Sequence, residues 1–178
     1  MSILSVFQVS SPAVPDKVLT HHEDITATLA EHGLRFEHWP SDTAVRPGTE
    51  ESEVRARYAD VFERLAHERD CGVLRLLNQD GVDQGSLGWR EEHVQTGEEV
   101  FVVLSGRAEL SVRLDERVLS VVCERGDVLT LPAGVRRWLE LGERPFCLAI
   151  RAFKNEGEAL TRFTGDGTAR EFPGIEVF

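Results

Sequence analysis

The chain has 178 residues, of which 41% are hydrophobic and 29% charged, with 20 Lys and Arg against 31 Asp and Glu and a formal net charge of −11 at pH 7. That length suits one domain with a sizeable core, and the composition excludes a disordered chain. The acidic balance argues against nucleic acid or anionic membrane as partner, because phosphate binding needs clustered Lys and Arg.

Three cysteines, Cys71, Cys123 and Cys147, show no C-x-x-C spacing, which fits buried thiols in a reducing compartment. The first residues carry no basic leader, and no later run reaches ~18 apolar residues. The expectation is a cytoplasmic protein, monomer or homodimer, whose partner is a small molecule.

In chain order, Ser2 to Val9 reads as an edge strand leading into a loop punctuated by Pro12 and Pro15. From Asp24, the near-helical spacing of Ile25, Leu29 and Leu34 predicts a helix that Gly33 ends; His21 and His22 lie just before it. A second helix runs from Thr49 or Ser52 to about Glu68, and its stripe of Val54, Tyr58, Val61, Phe62 and Leu65 should cover the outside of a β-core. Residues 73–77 form a strand, and 78–88 a loop rich in turn formers. From Glu99 onward the segments EVFVVL, AELSVRL, VLSVV, VLTLP, RRWLEL and FCLAIRAF alternate with SGR, DER, ERGD, AGV and GERP. That rhythm suits hairpins of an antiparallel barrel or jelly roll. The residues from Asn155 to Phe178 should wrap the outside as a short helix and tail.

Two stretches carry candidate chemistry. In GWREEHVQTGEEVFVVLSG, from Gly88 to Gly106, His93, Gln95 and Glu99 stand as H-x-Q-x3-E. They share parity, so a strand can point all three to one face, while Glu92 and Glu98 point away. In GDVLTLPAGVRRWLEL, from Gly126 to Leu141, Gly126, Pro132 and Gly134 are spaced G-x5-P-x-G, and Arg137 follows. Imidazole and carboxylate are good ligands for iron, nickel or zinc, whereas an amide oxygen suits calcium better. A guanidinium has no lone pair to give and stays protonated. If Arg137 points inward, it puts a positive charge where a cation would sit, and a charge-assisted bond to Glu99 would join the two hairpins.

These stretches resemble the two halves of the cupin signature, in which H-x-H-x3/4-E on one hairpin meets a single His on the other around a metal. More narrowly, SPAVPDKVLTHHEDITATLAEHGLRFEHW, FERLAHERD, DERVLSVVCERGDVLTLPAGVRRWLELGERPFCLAIRAF and RFTGDG, in that order, resemble the acireductone dioxygenase family of methionine salvage over almost the whole chain. The resemblance implies an all-β dominated fold, a cupin double-stranded β-helix or jelly-roll barrel with two N-terminal helices packed outside. It would form a single cupin domain over 1–178: N-terminal strand and helices in 1–70, barrel core in 71–153, C-terminal wrap in 154–178.

The resemblance also marks departures. Gln95 stands where the second ligand His is expected and Arg137 where the third is. Phe101 stands where the family has an Arg that helps bind the anionic enediol, Trp89 replaces a Phe, and Leu139 replaces an aromatic residue. Trp138 and Arg151 are retained. The implied substrate-side set is therefore Arg151, Trp89, Phe101, Leu139 and Trp138, with Val103 nearby, around a cavity more apolar than the family's.

Three readings follow. The first is a diverged cupin enzyme with no metal cofactor, using His93, Glu99, Arg137 and Gln95 for acid-base chemistry on a different small carbonyl or enol compound, as an isomerase, cyclase or lyase. The second is an acireductone dioxygenase-type oxidoreductase with a remodelled site that keeps Fe(II) or Ni(II) on His93 and Glu99, helped by Gln95 and water or by Glu92 or Glu98. The third is a non-catalytic cupin that binds a small ligand.

Overall fold

The computed structural model describes residues 1–81 and 88–175. Eleven strands and three helices follow in the order β1 (Ile3–Gln8), β2 (Lys17–Leu19), α1 (His22–Glu31), β3 (Arg35–His38), α2 (Glu51–Arg57), α3 (Ala59–His67), β4 (Val73–Asp80), β5 (His93–Gln95), β6 (Glu99–Leu114), β7 (Arg117–Glu124), β8 (Asp127–Leu131), β9 (Arg136–Glu140), β10 (Phe146–Phe153) and β11 (Thr161–Phe163). All pairings are antiparallel. One layer runs β11-β5-β9-β6-β7-β1-β2; the facing layer is built from β4, β10, β6, β8 and β3. This is the double-sheet jelly roll expected.

The two layers share β6, which crosses from one to the other. In its first half Phe101 and Val103 point into the barrel, and in its second half Ala108, Leu110 and Val112 do. Inward parity thus changes from odd to even, which requires one extra residue. The β6–β10 register supplies it, because Leu148 faces Ser105 while Ala149 faces Val103. Gly106 sits at this bulge with φ 74°, and a Cβ there would lie 2.0 Å from the Phe146 carbonyl oxygen. The expected SGR turn is therefore a bulge inside one continuous strand, and the two strands expected on either side of it are one.

The interior is apolar apart from the polar cluster described below, and Ile25 and Leu29 of α1 pack into it. Val54, Val61, Phe62 and Leu65 of α2 and α3 cover the outer face of the β4-side layer, against Val100, Val102, Leu148 and Ile150. The single long helix expected here is two. The backbone breaks at Tyr58, with φ −110° and ψ 27°, where the buried ring reaches under the preceding loop and its hydroxyl accepts from Val45 N at 3.3 Å.

Other boundaries also differ. β1 is no edge strand, since it lies between β7 and β2. α1 starts at His22, two residues early, and stacks the His22 ring on Phe36 at 4.8 Å. β4 runs three residues past the expected end, and residues 82–87 of the expected 78–88 loop lie outside the described residues. β3 and β11 were not anticipated, and the tail carries two short 3-10 turns, Glu156–Glu158 and Thr168–Glu171. Cys71, Cys123 and Cys147 are free and buried, as read.

The outer face of the β9-side layer holds an unusual carboxyl pair. Glu109 lies opposite Glu140 in the β6–β9 register, is 1% exposed, and among the described residues its Oε2 finds no hydrogen-bond partner. Burial, with Glu140 adding to it and Arg107 opposing, raises the Glu109 carboxyl to about 8. The fold therefore prefers the protonated acid. That contribution to stability is complete below the ordinary carboxyl range, declines as pH rises, and is gone once pH passes about 8. Replacing Glu109 with Gln should remove this slope, so that the variant gains on the order of 2 kcal/mol over wild type between pH 5 and pH 9. Denaturant midpoints at the two pH values measure it; parallel pH dependence in both proteins would contradict it.

Candidate functional site

The H-x-Q-x3-E pattern lands as strand parity requires. β5 carries His93 and Gln95 inward, a bend at Thr96 and Gly97 follows, and Glu99 opens β6 on the same side. Arg137 on β9 lies directly across from His93 in the β5–β9 register. Arg151 arrives on β10 opposite Phe101. His93, Gln95, Glu99, Arg137 and Arg151 are all buried, Arg137 to 1% exposure.

Glu99 is the hub. Arg137 Nη1 donates to its Oε1 at 3.2 Å, and Arg151 Nε donates to its Oε2 at 2.7 Å. Burial alone would push this carboxyl up, but the guanidiniums of Arg151 and Arg137 outweigh it and hold the group below its ordinary value. The rest of Arg137 is also used: Nε donates to the Val135 carbonyl at 3.1 Å and Nη2 to that of Pro132 at 2.6 Å. The AGV turn between β8 and β9 therefore holds the arginine at two backbone oxygens.

Arg151 is held on three sides. Besides Glu99, its guanidinium stacks on the Trp89 ring at 4.8 Å. Hydrogen-bond logic orients the Gln95 amide so that its oxygen accepts from Arg151 Nη2 at 3.0 Å and its nitrogen donates to the Leu160 carbonyl at 3.1 Å. Gln95 thus positions Arg151 rather than facing a ligand. His93 Nδ1 lies 2.8 Å from the Glu91 carbonyl, which can only accept, so Nδ1 carries the proton and Nε2 the lone pair. Burial lowers the His93 pKa, with the Glu91 hydrogen bond and Glu99 opposing.

These groups border a cavity of about 10 Å³, room for roughly one water. Trp89, Phe101 and Leu139 line it, where the family resemblance places them, and so does Leu110, which was not singled out. Leu110 pairs with Leu139 in the β6–β9 register, so the parity of β6 beyond the bulge was the missing signal. Phe163 on β11 was also missed. Its ring lies 5.9 Å from that of His93 and fills the space above Gly88. Trp138 is a correction. It alternates with Arg137 and Leu139 along β9, so it points out of the barrel and packs on Phe172 at 5.8 Å. Glu92 also faces outward, with Arg113 at 2.7 Å and Thr164 at 2.8 Å, and pins the C-terminal segment rather than serving the site.

The ARD/ARD' family profile matches residues 9–160. Acireductone dioxygenases of Pseudomonas fluorescens strain Pf-5 and Pseudomonas syringae pv. syringae strain B728a are each 41% identical over 99% of both chains. That of Pseudomonas aeruginosa PAO1 is 39% identical over the same share. The chain belongs to the ARD/ARD' family. In fold it matches acireductone dioxygenase from Bacillus anthracis with cadmium ion in its active center, at TM-score 0.74 and 18% identity over 92% of this chain and 98% of that one. The expectation of a changed substrate gains no support from these relatives, all named for one activity.

The donor set here does not fit a transition-metal ion of the kind the family implies. Among the described residues no three His, Cys, Asp or Glu side chains converge. Both oxygens of the one carboxylate already accept from guanidiniums. A divalent ion ~4 Å from a guanidinium would meet repulsion on the order of 8 kcal/mol at an effective dielectric of 20, and the single charge of Glu99 offsets only one of the two guanidiniums.

Proposed function

We propose that this family member is an acireductone dioxygenase-type enzyme, an oxidoreductase acting on a small acireductone-like enediol at the Arg137–Glu99–Arg151 cluster. One observation carries the substrate class. Two buried guanidiniums share a single carboxylate, leaving one net positive charge beside a small enclosed cavity, which suits a monoanionic enediolate. The names of the relatives support dioxygen as the second substrate. In this reading His93 Nε2 takes the enediol proton, the charge left on the substrate oxygen is met by Arg151 and Arg137, and Trp89 and Leu139 exclude water from the reacting carbons.

A second reading is favoured by the site's donor chemistry, which makes no place for Fe(II) or Ni(II). The same base and guanidiniums would then carry non-redox acid-base chemistry on a related carbonyl or enol compound. Oxygen uptake by the purified protein on 1,2-dihydroxy-3-keto-5-methylthiopentene, followed beside solvent deuterium exchange into the substrate, separates the two. Enzyme-dependent oxygen uptake that tracks substrate loss is expected. Exchange without uptake would replace the first reading by the second, and neither would leave a ligand-binding protein.

A further inference from the structure

We propose that Arg137 is the resident cation of this site. By the family resemblance Arg137 and Gln95 stand at two positions where metal-ligating histidines are expected, and Gln95 is the matched change, its amide oxygen accepting from Arg151 instead. The inference rests on family membership and not on the oxygen chemistry.

Three features of the network argue for replacement rather than accident. First, Arg137 is seated, not merely present: Nε, Nη1 and Nη2 each have an acceptor, two of them backbone carbonyls of one turn, in a side chain 1% exposed. No rotation takes it out of the barrel without abandoning all three bonds in the interior. Second, a metal at this corner would tie β5, β6 and β9 together through shared ligands. The guanidinium makes the β6 and β9 part of that tie, joining Glu99 on β6 to the β8–β9 connection, while β5 meets β9 through the His93–Arg137 pair. Third, the two departures are coupled in chemistry. An imidazole at position 95 would have no fixed oxygen to offer Arg151, whereas the Gln95 amide accepts from Arg151 Nη2 and still donates to the Leu160 carbonyl. Arg137, Glu99, Arg151 and Gln95 therefore form a network in which each charged group meets a counter-charge or a neutral acceptor, and an added cation would meet a guanidinium already bonded at each Glu99 oxygen.

The test reads metal rather than turnover. The full chain, purified without chelator and dialysed against Ni(II), Co(II) or Fe(II), is expected to hold far less than one equivalent. Its melting temperature should not move with metal. The double variant Gln95→His, Arg137→His should instead gain affinity by about 100-fold or more and show Co(II) ligand-field absorption, because it adds two imidazoles to His93 and Glu99. One equivalent of metal in wild type, lost on His93→Ala, overturns the proposal. So does a double variant that folds with no gain in affinity. If the double variant does not fold, the wild-type titration decides alone. A metal-free wild type that consumes no oxygen would sink the dioxygenase reading and leave this one standing.

Discussion

Replacing Glu99 with Gln is expected to be the most damaging single change in the site, lowering stability by about 3 to 5 kcal/mol. The reason is arithmetic of charge. Glu99 is the carboxylate that both Arg137 and Arg151 use, so its loss strands two cations in an apolar interior. For a chain of this size the melting temperature should fall by about 10 °C. Arg137→Ala should cost less, because Glu99 keeps Arg151, yet more than Arg57→Ala on the exposed side of α2. Adding Arg137→Met to Glu99→Gln should recover part of the loss by removing one orphaned charge, a coupling that a double-mutant cycle measures. Wild-type melting of the Glu99→Gln protein would show that the network bears no load.

Arg151→Met is expected to cause the largest functional loss, lowering kcat/KM by about 100-fold or more. The substitution takes the site from one net positive charge to none while Glu99 keeps Arg137, so the fold should survive it. The enediolate loses the cation that Gln95, Trp89 and Glu99 hold in place. A circular dichroism melt confirms folding, and steady-state turnover over a range of substrate concentrations gives the constant. An unchanged kcat/KM would place the substrate elsewhere.

Much of this site could be read from the chain alone because strands enforce alternation. His93, Gln95, Glu99, Arg137 and Arg151 meet where parity and the resemblance put them, as do Trp89, Phe101 and Leu139. Trp138 was misplaced because resemblance was followed there against the same alternation that places its neighbours Arg137 and Leu139 inside. The partners of Gln95 were beyond reach. β11 is three exposed residues with no apolar alternation, and only tertiary pairing with β5 makes it a strand and brings Phe163 over His93. The bulge at Gly106 was half visible, since the inward residues change parity across it. A turn and a bulge need the same glycine, however, and only the facing strand β10 distinguishes them.

The smallness of the chamber beside Glu99 has a kinetic consequence. A space of about 10 Å³ admits a water and no substrate, so binding must wait for the wall to part. β11 lies behind that wall, backing the β5 strand that carries His93, with three residues paired to β5 and Phe163 half in solvent. Association should therefore climb with ligand concentration and then level off at the frequency of wall opening, with diffusion no longer setting the pace.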